Sequence, residues 1–163
     1  LTGILNRRGF EKESVAGVRN CSRGAVKYLD LNQFKSINDR FGHQAGDALL
    51  KAFGHRRGFC LRPEDTLGRL GGDEFAIVLP DVSVDDVRHI AERLVQTSSE
   101  AYIIQGQEIK CTASVGIALV PKHGEELWHL LSVADHAMYE AKSISDEEAA
   151  NDPAAYVDAA TAE

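Results

Sequence analysis

Leu67–Pro80, LGRLGGDEFAIVLP, joins two features that need separate explanations. Phe75 to Leu79 is an unbroken apolar run, the pattern of a strand buried on both faces. Directly before it stand Gly71, Gly72, Asp73 and Glu74. With Thr66 to Leu70 on the other side, the two glycines read as the turn of a β-hairpin. A turn explains the glycines, but a core strand gains nothing from two adjacent carboxylates at its start. The hairpin therefore bears on the fold and the acids on the function.

Before the hairpin, Ala25 to Leu31 has the apolar weight of another buried strand, and Arg7 to Arg19 reads as a leading helix. Gln33 to Asp39 and Gln44 to Cys60 read as two helices broken at Gly42, with Pro63 just beyond. After it, Val84 to Gln96 spaces Val84, Val87, Ile90, Ala91 and Leu94 along one helix face. Ala101 to Ile104 and Ile109 to Val120 flank the turn QGQ as a second hairpin. Glu125 to Lys142 carries Leu127, Leu130, Leu131, Ala134, Met138 and Ala141 as an amphipathic helix. This order predicts an α/β (α+β) sandwich: a mixed, largely antiparallel, five-stranded sheet flanked by helices. It does not follow the strict strand–helix alternation of a doubly wound dinucleotide fold.

A chain of 163 residues, 44% hydrophobic and 26% charged, suits one globular domain with a real core. No apolar stretch is long enough to span a bilayer, and the N-terminus lacks a signal-peptide layout. The chain starts without Met and is expected to be a segment of a longer protein. Cys21, Cys60 and Cys111 are odd in number and widely spaced, which predicts reduced thiols in a cytoplasmic setting. The net charge of -7 comes mostly from the end of the chain, where residues 143–163 hold six acids and no Lys or Arg. Without them, 19 acids face 18 bases. The expected organisation is a domain over 1–142 and an acidic, Ala-rich, weakly ordered tail over 143–163. No basic surface for nucleic acid is present.

Asp30 ends the first buried strand where a helix follows. Alone it would read as an N-cap, and Asp73 alone as a turn residue. If the first strand and the Gly-Gly hairpin are sheet neighbours, Asp30, Asp73 and Glu74 converge at one end of the sheet. Uncompensated carboxylates raise one another's pKa values, and a divalent cation removes that cost. Oxygen ligands suit Mg2+ (or Mn2+), which takes further ligands from water and substrate phosphates.

The segments LTGILNRRGF, DLNQFKSINDRFGHQAGD, RLGGDEF, ASVGIA and ADHAMYEAK resemble, in order, the motif series of the GGDEF domain, the diguanylate cyclase family, over Leu1 to Lys142. The resemblance implies a palm-like fold related to nucleotidyl cyclases and polymerases. It implies an enzyme that joins two GTP molecules into cyclic di-GMP with release of two pyrophosphates. Asp30, the Leu31 backbone carbonyl, Asp73 and Glu74 would hold the metal, with Asp73 and Glu74 serving catalysis. Asn38 and Asp47 would read guanine, whose N1–H and N2–H2 donors match a carboxylate. Phe34 and Lys35 at the start of a helix, with Lys142, would meet the phosphates. Gly71 and Gly72 would leave the hairpin backbone open to the nucleotide.

One nucleotide per domain cannot complete this reaction, so the resemblance implies a homodimer whose copies each supply half a site. It also implies an upstream sensory or regulatory domain, which would tether the cytoplasmic domain to a membrane where that domain is membrane-bound. Arg62 and Asp65, with Arg93 on the next helix, resemble the family's inhibitory RxxD site for cyclic di-GMP. Arg62-Pro63 and Asp65 would equally serve to end a helix and open a turn. Two positions depart from the family: Asn32 replaces a common Asp, and Asp146 replaces a phosphate-contacting Arg, reversing its charge. The alternative to an active cyclase is a catalytically weak module that binds GTP or cyclic di-GMP and regulates attached domains.

Overall fold

The computed structural model describes residues 4–58, 60–148 and 156–158. Its order is β1 (Ile4–Asn6), α1 (Arg7–Asn20), β2 (Gly24–Leu31), α2 (Phe34–Phe41), α3 (His43–Gly58), β3 (Thr66–Gly71) and β4 (Glu74–Pro80). There follow α4 (Val84–Ser98), β5 (Tyr102–Ile104), β6 (Gln107–Ile109), β7 (Ala113–Val120), α5 (Leu127–Glu148) and β8 (Tyr156–Asp158). The main sheet runs β1-β3-β4-β2-β7-β8. Its central pairs are antiparallel, while the three-residue edge strands β1 and β8 pair in parallel with β3 and β7. The mixed, largely antiparallel sheet flanked by helices is therefore present, five strands of it within the first 120 residues.

The strands differ from the sequence reading at residues 101–120, and that reading held neither β1 nor β8. Residues 101–120 do not form a single hairpin of the main sheet. β5 and β6 pair only with each other, and the chain breaks at Lys110–Thr112 before β7 joins β2. At that break Asn32 and Thr112 carry the β2–β7 pairing one step beyond Leu31 and Ala113. Thr112 is taken up by the turn after β2: its carbonyl accepts from the Asn32 N–H at 2.9 Å, and its hydroxyl from the Asn32 amide at 2.8 Å. α5 continues to Glu148, past the Lys142 boundary of the sequence reading, and β8 extends the sheet. The Asp146 side chain and the tail at 149–155 and 159–163 lie outside the described residues.

β2 is the axis of the molecule, with all eight of its residues buried. A period of two divides them between two cores. Ala25, Leu29 and Leu31 join Leu49, Phe53, Phe75, Ile77, Val87 and Leu94 beneath α3 and α4. Val26 and Tyr28 join Phe10, Ala76, Val78, Leu130, Ala134 and Met138 beneath α1 and α5. Filling both faces explains why β4 reads as a continuous apolar run, and why β2 is apolar on both faces apart from Lys27 and Asp30. α5 lies unusually close to β7, because a Cβ on Gly116 would stand 1.8 Å from the Ala134 carbonyl oxygen and 2.4 Å from the Met138 nitrogen.

Two charged side chains are fully buried in the first core. Arg57 donates to the Leu94 carbonyl and the Ser98 hydroxyl and lies over the Phe53 ring. Lys27 donates from Nζ to the Val87 carbonyl of α4 at 3.0 Å. Burial lowers the Lys27 pKa to about 7, against a smaller opposing attraction from Asp65. Below that value the native state must hold a buried ammonium; above it the ammonium loses its proton, while the unfolded chain keeps its own to about pH 10.5. Stability contributed through Lys27 therefore rises between pH 7 and 10.

Lys27→Met is expected to stabilise the fold by about 1–3 kcal/mol at pH 6, with the gain shrinking toward pH 10, in urea melts across that range. Gly116→Ala is expected to cost about 1–3 kcal/mol in the same melts, because only displacement of α5 makes room for the methyl group.

Candidate active site

The end of β2 brings the candidate residues together. In the sheet register Asp30 lies opposite Glu74 of β4 on one side and Ser114 of β7 on the other. The hairpin turn is tied to the same place by the Leu31 N–H, which donates to the Asp73 carbonyl at 3.4 Å. Gly72 turns the chain there with φ +47°, a conformation that disfavours a side chain.

Asp30 is the electrostatic centre. Its side chain is 11% exposed, and Oδ2 accepts from Lys142 Nζ of α5 at 2.9 Å. Oδ1 is buried and finds no hydrogen-bond partner among the protein's groups. Burial pushes the Asp30 pKa up to about 6; the neighbouring Asp73 carboxylate adds to the rise and Lys142 opposes it. Glu74 is partly diverted, because the Tyr28 hydroxyl donates to Oε2 at 3.0 Å. Burial first, then Glu74, holds the Tyr28 phenol above its ordinary pKa. Among the described residues no three His, Cys, Asp or Glu side chains gather as a metal-binding group. The structure thus pairs Asp30 with Asp73 and leaves Glu74 on Tyr28. A buried carboxylate oxygen without a donor, beside a second carboxylate, fits a hard cation that completes its shell from water, backbone and phosphate oxygens.

The α2–α3 corner carries the next candidate residues, Asn38 and Asp47. Gly42, at φ +89°, ends α2, and its N–H donates to the Asn38 carbonyl at 2.8 Å. Gly46, one turn into α3, leaves room for the Asn38 amide: a Cβ there would stand 1.8 Å from Asn38 Oδ1. That Oδ1 is buried and has no hydrogen-bond partner within the protein, while Asp47, next to Gly46 in the chain, is exposed. Lys35 is exposed on the first turn of α2, beside Phe34. The N-termini of α1 and α4 are capped by the side chains of Asn6 and Ser83. The N-terminus of α2 has no side-chain cap, so its first amides are not taken up by one.

Arg62 and Asp65 lie elsewhere, near Pro80 at the far end of β4 from Glu74. Six residue steps along that strand are about 20 Å. The Asp65 side chain is fully buried and accepts from Arg62 Nη2 at 2.8 Å and from the Arg62 N–H at 2.8 Å. Arg62 also donates to the Pro80 carbonyl and pairs with Glu64 at 3.2 Å, and the bond to Asp65 holds its guanidinium pKa up. Arg93 reaches the same loop through the Cys60 carbonyl at 3.1 Å. The pair therefore closes its own turn as well as presenting an arginine at the surface.

The sequence reading missed Tyr28, Thr112 and Ser114. Tyr28 stands two residues before Asp30 on the same strand face, a signal present in the period of two. Asn32, the departure from the family's Asp, faces β7: its amide donates to Thr112 and its Oδ1 accepts from the Ser114 hydroxyl at 2.8 Å. A carboxylate has no hydrogen to give Thr112, whose hydroxyl would turn and donate to it instead. No helix among the described residues is long and apolar enough to cross a membrane, and the three cysteines are unpaired thiols.

Comparisons with known proteins bear on the family and the fold. The family described as "Diguanylate cyclase, GGDEF domain" matches residues 1–148. The cyclic di-GMP phosphodiesterase NbdA of Pseudomonas aeruginosa is 42% identical over 148 residues, 88% of this chain and 19% of its own length. The bifunctional diguanylate cyclase/cyclic di-GMP phosphodiesterase MucR of the same organism is 42% identical over 146 residues, 87% of this chain and 21% of its length. The chain thus spans about a fifth of each of these relatives. Among solved structures, the GGDEF domain of TpbB (YfiN) from Pseudomonas aeruginosa superposes with a TM-score of 0.83 at 37% identity, covering 88% of this chain and 93% of that one. With its palm-like sheet, its Gly-Gly-Asp-Glu hairpin and a match across 1–148, the chain belongs to the GGDEF domain family of diguanylate cyclases.

Proposed function

We propose that this domain is a diguanylate cyclase, condensing two GTP into cyclic di-GMP within a homodimer. The observation that carries the reading is Asp30, with one buried oxygen lacking a donor and Asp73 beside it at the mouth of the Gly-Gly hairpin. In each of two steps a ribose 3'-hydroxyl attacks the α-phosphate of the opposing nucleotide. A P–O bond forms, the bond to the β-phosphate breaks, and one pyrophosphate and one proton are released. A divalent ion such as Mg2+ bound at Asp30, Asp73 and the Leu31 carbonyl, with Glu74 close by, would neutralise the triphosphate and acidify the attacking hydroxyl.

The chain's own residues do the rest. The uncapped amides of Phe34 and Lys35 at the start of α2, with the Lys35 and Lys142 ammonium groups, receive phosphate oxygens. The donorless Asn38 Oδ1 and the exposed Asp47 carboxylate accept from guanine, and adenine offers no matching donor pair. Gly71 and Gly72 leave the turn open to the nucleotide. A single copy holds one nucleotide, so catalysis requires two domains facing each other.

A second reading is favoured by one comparison. NbdA, at 42% identity, is named as a phosphodiesterase. In that reading the domain binds GTP or cyclic di-GMP and regulates what is attached to it. The surface Arg62 with Asp65 and Arg93 is the place where a cyclic di-GMP dimer would inhibit. Its guanidinium would take phosphate or a guanine face.

Incubated with GTP and Mg2+ as a verified dimer, the wild type is expected to form cyclic di-GMP, read by chromatography, and Asp73→Asn to lose at least about 100-fold of that rate. Absence of product from a well-formed dimer that still binds GTP would select the regulatory reading. Calorimetric titration of cyclic di-GMP is expected to show binding that Arg62→Ala weakens at least tenfold; unchanged affinity would remove the inhibitory site.

A further inference from the structure

We propose that Lys142 is the resident counter-ion of Asp30 and exchanges with the divalent cation, moving from the carboxylate to the triphosphate as the cation enters. The proposal deepens the cyclase reading, since it concerns the order of events at the same site. Its basis is the geometry of one ion pair. Lys142 Nζ stands 2.9 Å from Asp30 Oδ2, at a carboxylate that is 11% exposed, while the lysine side chain is 35% exposed. The ammonium thus lies at the rim, between the buried acid and the surface from which a nucleotide approaches.

The two cations cannot both keep their best positions. An ammonium hydrogen-bonded to Oδ2 and a divalent ion drawn to Oδ1 and Asp73 would be like charges on one carboxylate. The dication carries twice the charge and binds oxygen directly, so it takes the acid. The lysine needs another anion, and its flexible four-carbon stem allows the head to swing without moving the helix. α5 itself is fixed, because the backbone of Ala134 and Met138 rests on Gly116. Only the side chain has to move.

The exchange makes the metal and the nucleotide help each other. Without nucleotide, the cation must displace Lys142 from the carboxylate, and the ion pair opposes it. With nucleotide, the displaced ammonium gains a phosphate oxygen. Linkage requires the reverse as well: a cation on Asp30 frees Lys142 and tightens the nucleotide. A lysine that served only as a phosphate contact would leave binding of the metal alone unaffected.

The deciding experiment titrates Mn2+ alone into the nucleotide-free protein, following free Mn2+ by electron paramagnetic resonance. Lys142→Met is expected to bind Mn2+ roughly fivefold more tightly than wild type, the scale of a half-exposed ion pair, and GTP more weakly. Lys142→Arg is expected to keep the wild-type Mn2+ affinity. Equal or weaker Mn2+ binding by Lys142→Met, or no binding by either protein, overturns the proposal. In the wild type, amine acylation read by mass spectrometry is expected to label Lys142 faster when Mn2+ is saturating; an unchanged rate also overturns it. The cyclase reading fails separately: Mn2+-tightening in a protein that forms no product keeps the exchange, and product formation without it discards the exchange alone.

Discussion

The site depends on one constraint: a strand buried on both faces must end in a carboxylate without exposing its flank to water. β2 meets it by filling its two sides with separate cores and placing Asp30 at the last turn of register before the chain leaves the sheet. Because β4 and β7 flank it, whatever they carry at that end is delivered to Asp30. The Gly-Gly hairpin is thus positioned by the pairing of apolar strands, and the acids come with it. Burial also makes Asp30 costly as an anion, which is why it holds an ammonium.

The protein treats its buried charges in different ways. Arg57 spreads its charge over a carbonyl, a hydroxyl and an aromatic face. Lys27 has a single carbonyl and a weakened hold on its proton. Asp30 keeps a side-chain counter-ion at the surface, where it can be replaced. Arg57 ties α3 to α4, and Lys27 ties α4 to the sheet. The third keeps one oxygen without a donor, which a purely structural acid would not need.

Much of this was legible in the sequence. The apolar weight of β2 and the continuous apolar run of β4 marked those strands, and the turn glycines between β3 and β4 marked the hairpin. The adjacency of Asp30 and Asp73 followed once those strands were taken as neighbours. Less legible was whatever depended on side-chain direction. Glu74 reads as a third metal acid, yet a tyrosine across the strand pair takes one of its oxygens. The break before β7, at Lys110–Thr112, had no Gly or Pro to announce it. Edge strands of three residues, such as β1, carry too little pattern to be seen before they are paired.

Asn32 also bears on the charge of the site. Its amide gives a hydrogen to Thr112 and takes one from Ser114, positions 80 and 82 residues downstream. With Asp in its place, the Thr112 hydroxyl would turn and donate instead. The clasp beside Asp30 is therefore one whose hydrogen can run in either direction, and exchanging amide for carboxylate there would alter the local charge more than the number of hydrogen bonds.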